Sequence, residues 1–88
     1  MSDEESPLQF PCEFPIKAMG PAGETFQASV WAIVTSHAPE TSSQSFGVTP
    51  SRQGNYVSVT ITITATSREQ LDAIYADLRD EPSVLAVL

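Results

Sequence analysis

Eighty-eight residues carry eleven acidic against four basic side chains, for a net charge of −7 and a sequence pI near 4.2. That balance repels phosphate backbones and anionic lipid surfaces, so it argues against nucleic acid and membranes as partners. The 41% hydrophobic content suits one globular domain. A core divided in two at this length could not offset the entropy of ordering both halves, and no apolar run approaches the roughly 20 residues of a membrane span.

Residues 1–9 hold Asp3, Glu4 and Glu5 with little apolar content, which predicts a disordered acidic tail ahead of a single domain over residues 10–88. The lone Cys12 excludes an internal disulfide. No Cys/His spacing suggests a metal, no cofactor motif is present, and no basic-then-apolar leader opens the chain, so a cytoplasmic location is expected.

Between residues 10 and 19, Phe14, Ile16 and Ala18 alternate with Glu13, Lys17 and Met19, which predicts a first strand. Proline brings no amide proton, so Pro15 places the start of regular pairing near Ile16. Gly20, Pro21 and Gly23 read as a turn. Phe26, Val30, Ile33, Val34 and His37 then share one side of a helix that ends before Pro39.

Residues 38–45 read as a loop rich in Ser, Thr and Pro, followed by a short strand around Phe46 and Val48. Residues 50–55 reverse the chain, with Gly54 suited to a positive φ. The clearest pattern follows: Val57, Val59, Ile61, Ile63 and Ala65 alternate with Tyr56, Ser58, Thr60, Thr62, Thr64 and Thr66. Period two over this length predicts a strand with one covered face and one open, Thr-lined face.

Ser67 and Gln70 have the spacing of a capping box, in which each side chain satisfies an unpaired amide at the helix start. Leu71, Ile74, Tyr75 and Leu78 form the apolar stripe of this second helix, Pro82 follows its end, and residues 84–88 form a last short strand. The order strand, helix, strand, strand, helix, strand with right-handed crossovers predicts an α+β fold. It is the ferredoxin-like split βαβ arrangement (βαββαβ), a four-stranded antiparallel sheet with two helices on one face.

The run Pro50-Ser51-Arg52-Gln53-Gly54-Asn55-Tyr56-Val57-Ser58-Val59-Thr60 resembles the YbeD-like family of small bacterial proteins of unknown function. So do Ile74-Tyr75, Val87-Leu88, Phe14, Lys17, Met19-Gly20 and His37-Ala38-Pro39. Pro15 and the extra residues at 41–45 depart from the family pattern. The resemblance implies the same ferredoxin-like fold and a similarity in shape to ACT-type regulatory domains, which pair side by side and hold small ligands near the first strand-to-helix turn. By that analogy Met19, Gly20, Pro21 and Ala22 are the first candidates for a ligand turn, and a regulatory connection to lipoate metabolism is implied.

Catalytic constellations are not legible. His37 has no acid–base partner that the sequence identifies, Ser51, Ser58 and Ser67 lack a nucleophile elbow, and Cys12 sits beside Glu13, which opposes thiolate formation. Glu4-Glu5 and Asp80-Glu81 lack the oxygen spacing of a calcium loop. Ser51, Arg52, Gly54, Asn55 and Tyr56 combine turn chemistry with residue types that serve recognition. Trp31, off the centre of the first helix's stripe, marks either an interface or the rim of the core beside the other helix. The expectation is a non-enzymatic regulatory or adaptor domain that binds a protein partner or a second copy of itself as a homodimer. The alternative is an ACT-like metabolite sensor, in which a bulky residue at Gly20 abolishes binding without unfolding the domain; an enzyme with an unrecognised site ranks last.

Overall fold

The computed structural model describes residues 8–88. The acidic tail expected at residues 1–9 lies largely outside them; Leu8 and Gln9 are exposed. The elements are β1 (Cys12–Pro21), α1 (Glu24–His37), β2 (Phe46–Pro50), β3 (Tyr56–Ala65), α2 (Arg68–Asp80) and β4 (Ala86–Val87), with one short 3-10 turn at Ser43–Ser45. The sheet order is β2-β3-β1-β4 and every neighbouring pair is antiparallel. This is the ferredoxin-like arrangement expected from the element order.

The period-two pattern of β3 becomes the core directly. Val57, Val59, Ile61, Ile63 and Ala65 are buried, joined by Ile16 and Ala18 of β1, by Phe26, Val30 and Val34 of α1, and by Leu71, Ile74 and Leu78 of α2. Each helix presents its apolar stripe at i, i+3 or i+4 spacing to this one sheet face, while Ser58, Thr60 and Thr62 stay half-buried on the other. Tyr75 lies at the margin, its ring edge-on to Phe14 with centroids 6.4 Å apart.

Burial raises the Tyr75 phenol above the ordinary tyrosine value. Below about pH 10 both folded and unfolded chains hold this proton and its contribution to stability is complete. Above that pH the unfolded chain ionises first, so stability falls until the folded phenol also titrates. Thermal melts taken from pH 8 to 11 should therefore decline less steeply at the alkaline end for Tyr75→Phe than for the wild type; parallel curves would refute the burial effect.

Three local expectations are corrected. Regular pairing of β1 starts at Cys12, opposite Ala65, and runs unbroken to Pro21 opposite Tyr56, so Pro15 does not delay it. The reason is directional. Met19 and Lys17 carbonyls accept from the Leu85 and Leu88 amides, so odd-numbered β1 residues turn their backbone polar groups toward the β4 side. Pro15 faces the same way at a level that β4 does not reach, and its missing donor interrupts no pair.

Gly20 is not in a turn but in β1, and it is buried. A Cβ placed on it would lie 2.6 Å from both Cδ1 and Cζ of Phe26, so the ring packs flat onto the bare backbone. A bulky residue there cannot leave the fold intact, which reverses the expectation of a folded, non-binding variant. The capping box is also only half formed. Ser67 Oγ accepts from the Gln70 amide at 3.0 Å as expected, but Gln70 Oε1 accepts from the Thr66 amide at 2.8 Å rather than from Ser67.

Candidate functional site

The structure gathers most of the sequence candidates at one end of the sheet. The turn between β2 and β3 is built from Ser51, whose amide donates to the Tyr56 carbonyl at 2.8 Å and whose Oγ accepts from the Tyr56 amide at 3.2 Å. Gly54, at φ 79, donates to the Ser51 carbonyl at 3.0 Å. The Asn55 carbonyl accepts from the Ala22 amide at 3.0 Å, and Pro21 stands opposite Tyr56 in the register. The hairpin residues and the Met19–Ala22 stretch, read separately from the sequence, are thus neighbours.

Within this cluster the roles divide. Ser51, Gly54 and Asn55 are engaged in holding the turn, whereas Arg52 is exposed and Tyr56 keeps 46% of its surface in solvent. Met19 turns to the open sheet face opposite Ser58 and Ala86, while Gly20 faces Phe26 and the core. Trp31 does not join them. It stands on the helical layer, half-buried, with its ring edge-on to Phe46 of β2 at 5.9 Å, so it covers the core rim beside a strand rather than beside α2.

The other end of β3 holds a feature that sequence reasoning missed. β2 stops at Phe46, opposite Ile61, while β3 runs on to Ala65, and the 38–45 segment stands beside the uncovered stretch. Between them lies a groove of about 520 Å³ whose lining includes Glu13, Glu40, Ser42, Ser45, Thr64 and Gln70, with no lysine or arginine among the described residues. Gln70 fixes its floor: Oε1 accepts from the Thr66 amide and Nε2 donates to the His37 carbonyl at 2.9 Å.

His37, the one histidine, has its Nε2 2.6 Å from Asp77 Oδ2, which ties the end of α1 to α2. Asp77 is half exposed, so the pair contributes at most about 1 kcal/mol. Among the described residues no three His, Cys, Asp or Glu side chains converge as a metal site, and no helix is long and apolar enough to cross a membrane. Cys12 is a half-buried free thiol.

The fold and these contacts can be set beside known proteins. In solution, protein HP0495 of H. pylori has the same fold, superposing with a TM-score of 0.75 over 98% of this chain and 90% of its own at 10% identity. A UPF0250 protein of Nitrosomonas europaea is 47% identical over 97% of this chain and 98% of its own length. UPF0250 proteins of Ectopseudomonas mendocina and Chromobacterium violaceum are 46% and 42% identical over 99% and 100% of this chain, and over 97% and 100% of their own lengths. Residues 5–88 match the family described as protein of unknown function, DUF493, and with relatives this similar along the whole length the chain belongs to that family, the YbeD-like group its sequence resembles.

Proposed function

We propose that the domain acts without catalysis, as a regulatory or adaptor module that binds a protein partner through the uncovered sheet face at the hairpin end. The distribution of charge carries this reading. Glu24, Glu40, Glu69, Asp72, Asp77, Asp80 and Glu81 all belong to helices or connections, whereas Lys17 lies on the open face and Arg52 on the adjoining turn. Glu13 is the only carboxylate on the described strands, and it stands at the far end, opposite Thr64. Among the described residues, the hairpin end of the open face is therefore without the prevailing acidic charge, and there Tyr56, Met19 and Pro21 add apolar contact.

The test is a quantitative affinity capture that compares the wild type with Lys17→Glu and Tyr56→Ala. Both changes are at surface positions and should leave the melting temperature nearly unchanged. A protein retained by the wild type and depleted by both variants is the expected result. Light scattering at tens of micromolar adds the self-association arm, since a homodimer using this face should dissociate in the same variants. A thermal-shift panel of amino acids, nucleotides and lipoate-pathway metabolites tests the sensor alternative: a selective rise with one compound, unaffected by either variant, would overturn the adaptor reading.

A further inference from the structure

Besides the two-residue outer edge of β4 (Ala86–Val87), the sheet has three stretches where backbone polar groups face outward. On β1 the stretch beyond β4 carries Glu13 near the strand end and Pro15, which has no donor to offer there. On β2, Gly47 and Thr49 pair with Thr60 and Ser58, and the Ser51 amide continues that ladder to Tyr56, so the even-numbered residues face out. Of these, the Phe46 amide donates to the Ser43 carbonyl and Pro50 has no amide proton, which leaves Val48 as the single outward donor. Prolines and spent amides of this kind protect a sheet from pairing with other chains.

The third stretch is different. Counting along β3 from the same ladder, Thr60, Thr62 and Thr64 turn their backbones away from β1; Thr60 meets Gly47, but Thr62 and Thr64 lie beyond Phe46, where β2 offers no residue to meet them. The Thr66 amide is taken by Gln70 Oε1. Thr64 is left with an N–H and a C=O aimed into the groove and bonded to no described residue on that side. No proline guards the position, and the 38–45 segment forms an opposite wall at the distance that leaves about 520 Å³ between them. That volume falls within the roughly 300–1,000 Å³ of ligand clefts.

We infer that this groove is a binding site for an extended, basic peptide segment of a protein partner, which adds itself as a short strand along β3 at Thr62 and Thr64. Backbone pairing at an open edge supplies affinity irrespective of sequence, and the side chains on either side supply selection. Here the selection is electrostatic. Glu13 rises from the open face opposite Thr64, Glu40 stands in the facing wall, both are exposed, and among the described residues no lysine or arginine lines the groove to neutralise them, while His37, also in the lining, is engaged with Asp77. A strand whose alternate side chains are Lys or Arg would place positive charge toward both carboxylates, while an acidic strand would meet repulsion. The inference rests on the reading of the domain as a binding module but not on its hairpin end, which lies at the opposite end of β3.

An acetylated, amidated Lys-Thr-Lys-Thr-Lys-Thr peptide titrated into the isotopically labelled full chain tests this, with a Glu-Thr repeat of equal length as control. Amide resonances of residues 62–66 and 38–45 should shift with the basic peptide and not with the acidic one. Thr64→Pro, which copies the device already present at Pro15 and Pro50, should weaken binding up to about tenfold, as expected for loss of one backbone hydrogen bond. The Glu13→Gln, Glu40→Gln double variant keeps the edge intact and should instead flatten the salt dependence of binding. The inference fails if Thr64→Pro remains folded and binds as tightly as the wild type, or if neither peptide shifts the groove at millimolar concentration. Shifts confined to Lys17, Tyr56 and residues 51–55 would also overturn it while leaving the hairpin-face proposal standing.

Discussion

Gly20→Ala should destabilise the domain by roughly 1–3 kcal/mol, and Gly20→Leu should prevent folding, because overpacking a filled core forces displaced rotamers and backbone shifts. The Phe26 ring is itself 2% exposed and has nowhere to retreat. In a domain of this size each kcal/mol lowers the melting temperature by roughly 4–8 °C. The contact can be isolated by a double-mutant cycle. Gly20→Ala combined with Phe26→Leu should cost less than the two single changes added together, since the smaller side chain makes room for the new methyl group. Additive losses would mean that Gly20 matters for the conformation of β1 rather than for the ring above it.

A larger loss than that of Gly20→Ala is expected from Ile61→Ala, at about 2–5 kcal/mol by chemical denaturation. Ile61 has no exposed surface, stands opposite Ile16 in β1 and Phe46 in β2, and lies where three strands meet under both helices. Its neighbours belong to paired strands that cannot collapse inward to fill the space, which places the cost toward the upper part of that range. Val48→Ala, on the edge strand and 37% exposed, is the matched control and should cost far less. Similar losses at the two positions would mean that the packing described for β3 is wrong.

What could be read from the chain in advance follows a physical division. The alternation of residues 56–65 and the stripe Leu71, Ile74 and Leu78 are local patterns with one geometric solution each, and they place the core. The Ser67 cap is equally local. Local pattern misleads where the deciding partner is remote in sequence. Whether Pro15 interrupts a ladder depends on how far β4 extends, and Gly20 looks like a turn residue until Phe26 is known to lie over it.

Gln70 illustrates the same point for the candidate site. The spacing to Ser67 is legible, but its Nε2 reaches the His37 carbonyl on the other helix, a contact no local pattern encodes. The groove itself exists only because β3 outlasts β2 in the assembled sheet. The hairpin candidates are legible because turn residues declare themselves by type. Their meeting with Pro21 and Ala22 is not, since it requires the full β1–β3 register.

That register also governs how the chain can reach its native state. The tightest link between the two central strands, Pro21 with Tyr56, already encloses the whole of α1 and β2. The β2–β3 hairpin, by contrast, closes over residues 51–55 alone. Because loop-closure entropy must be overcome before a distant pairing returns any stabilisation, the hairpin can form early and the joining of β1 to it sets the pace. The residues that hold the turn, Ser51 and Gly54, would then govern the speed of folding, while those that lock β1 in place, Gly20 among them, would govern how long the folded molecule lasts before it opens.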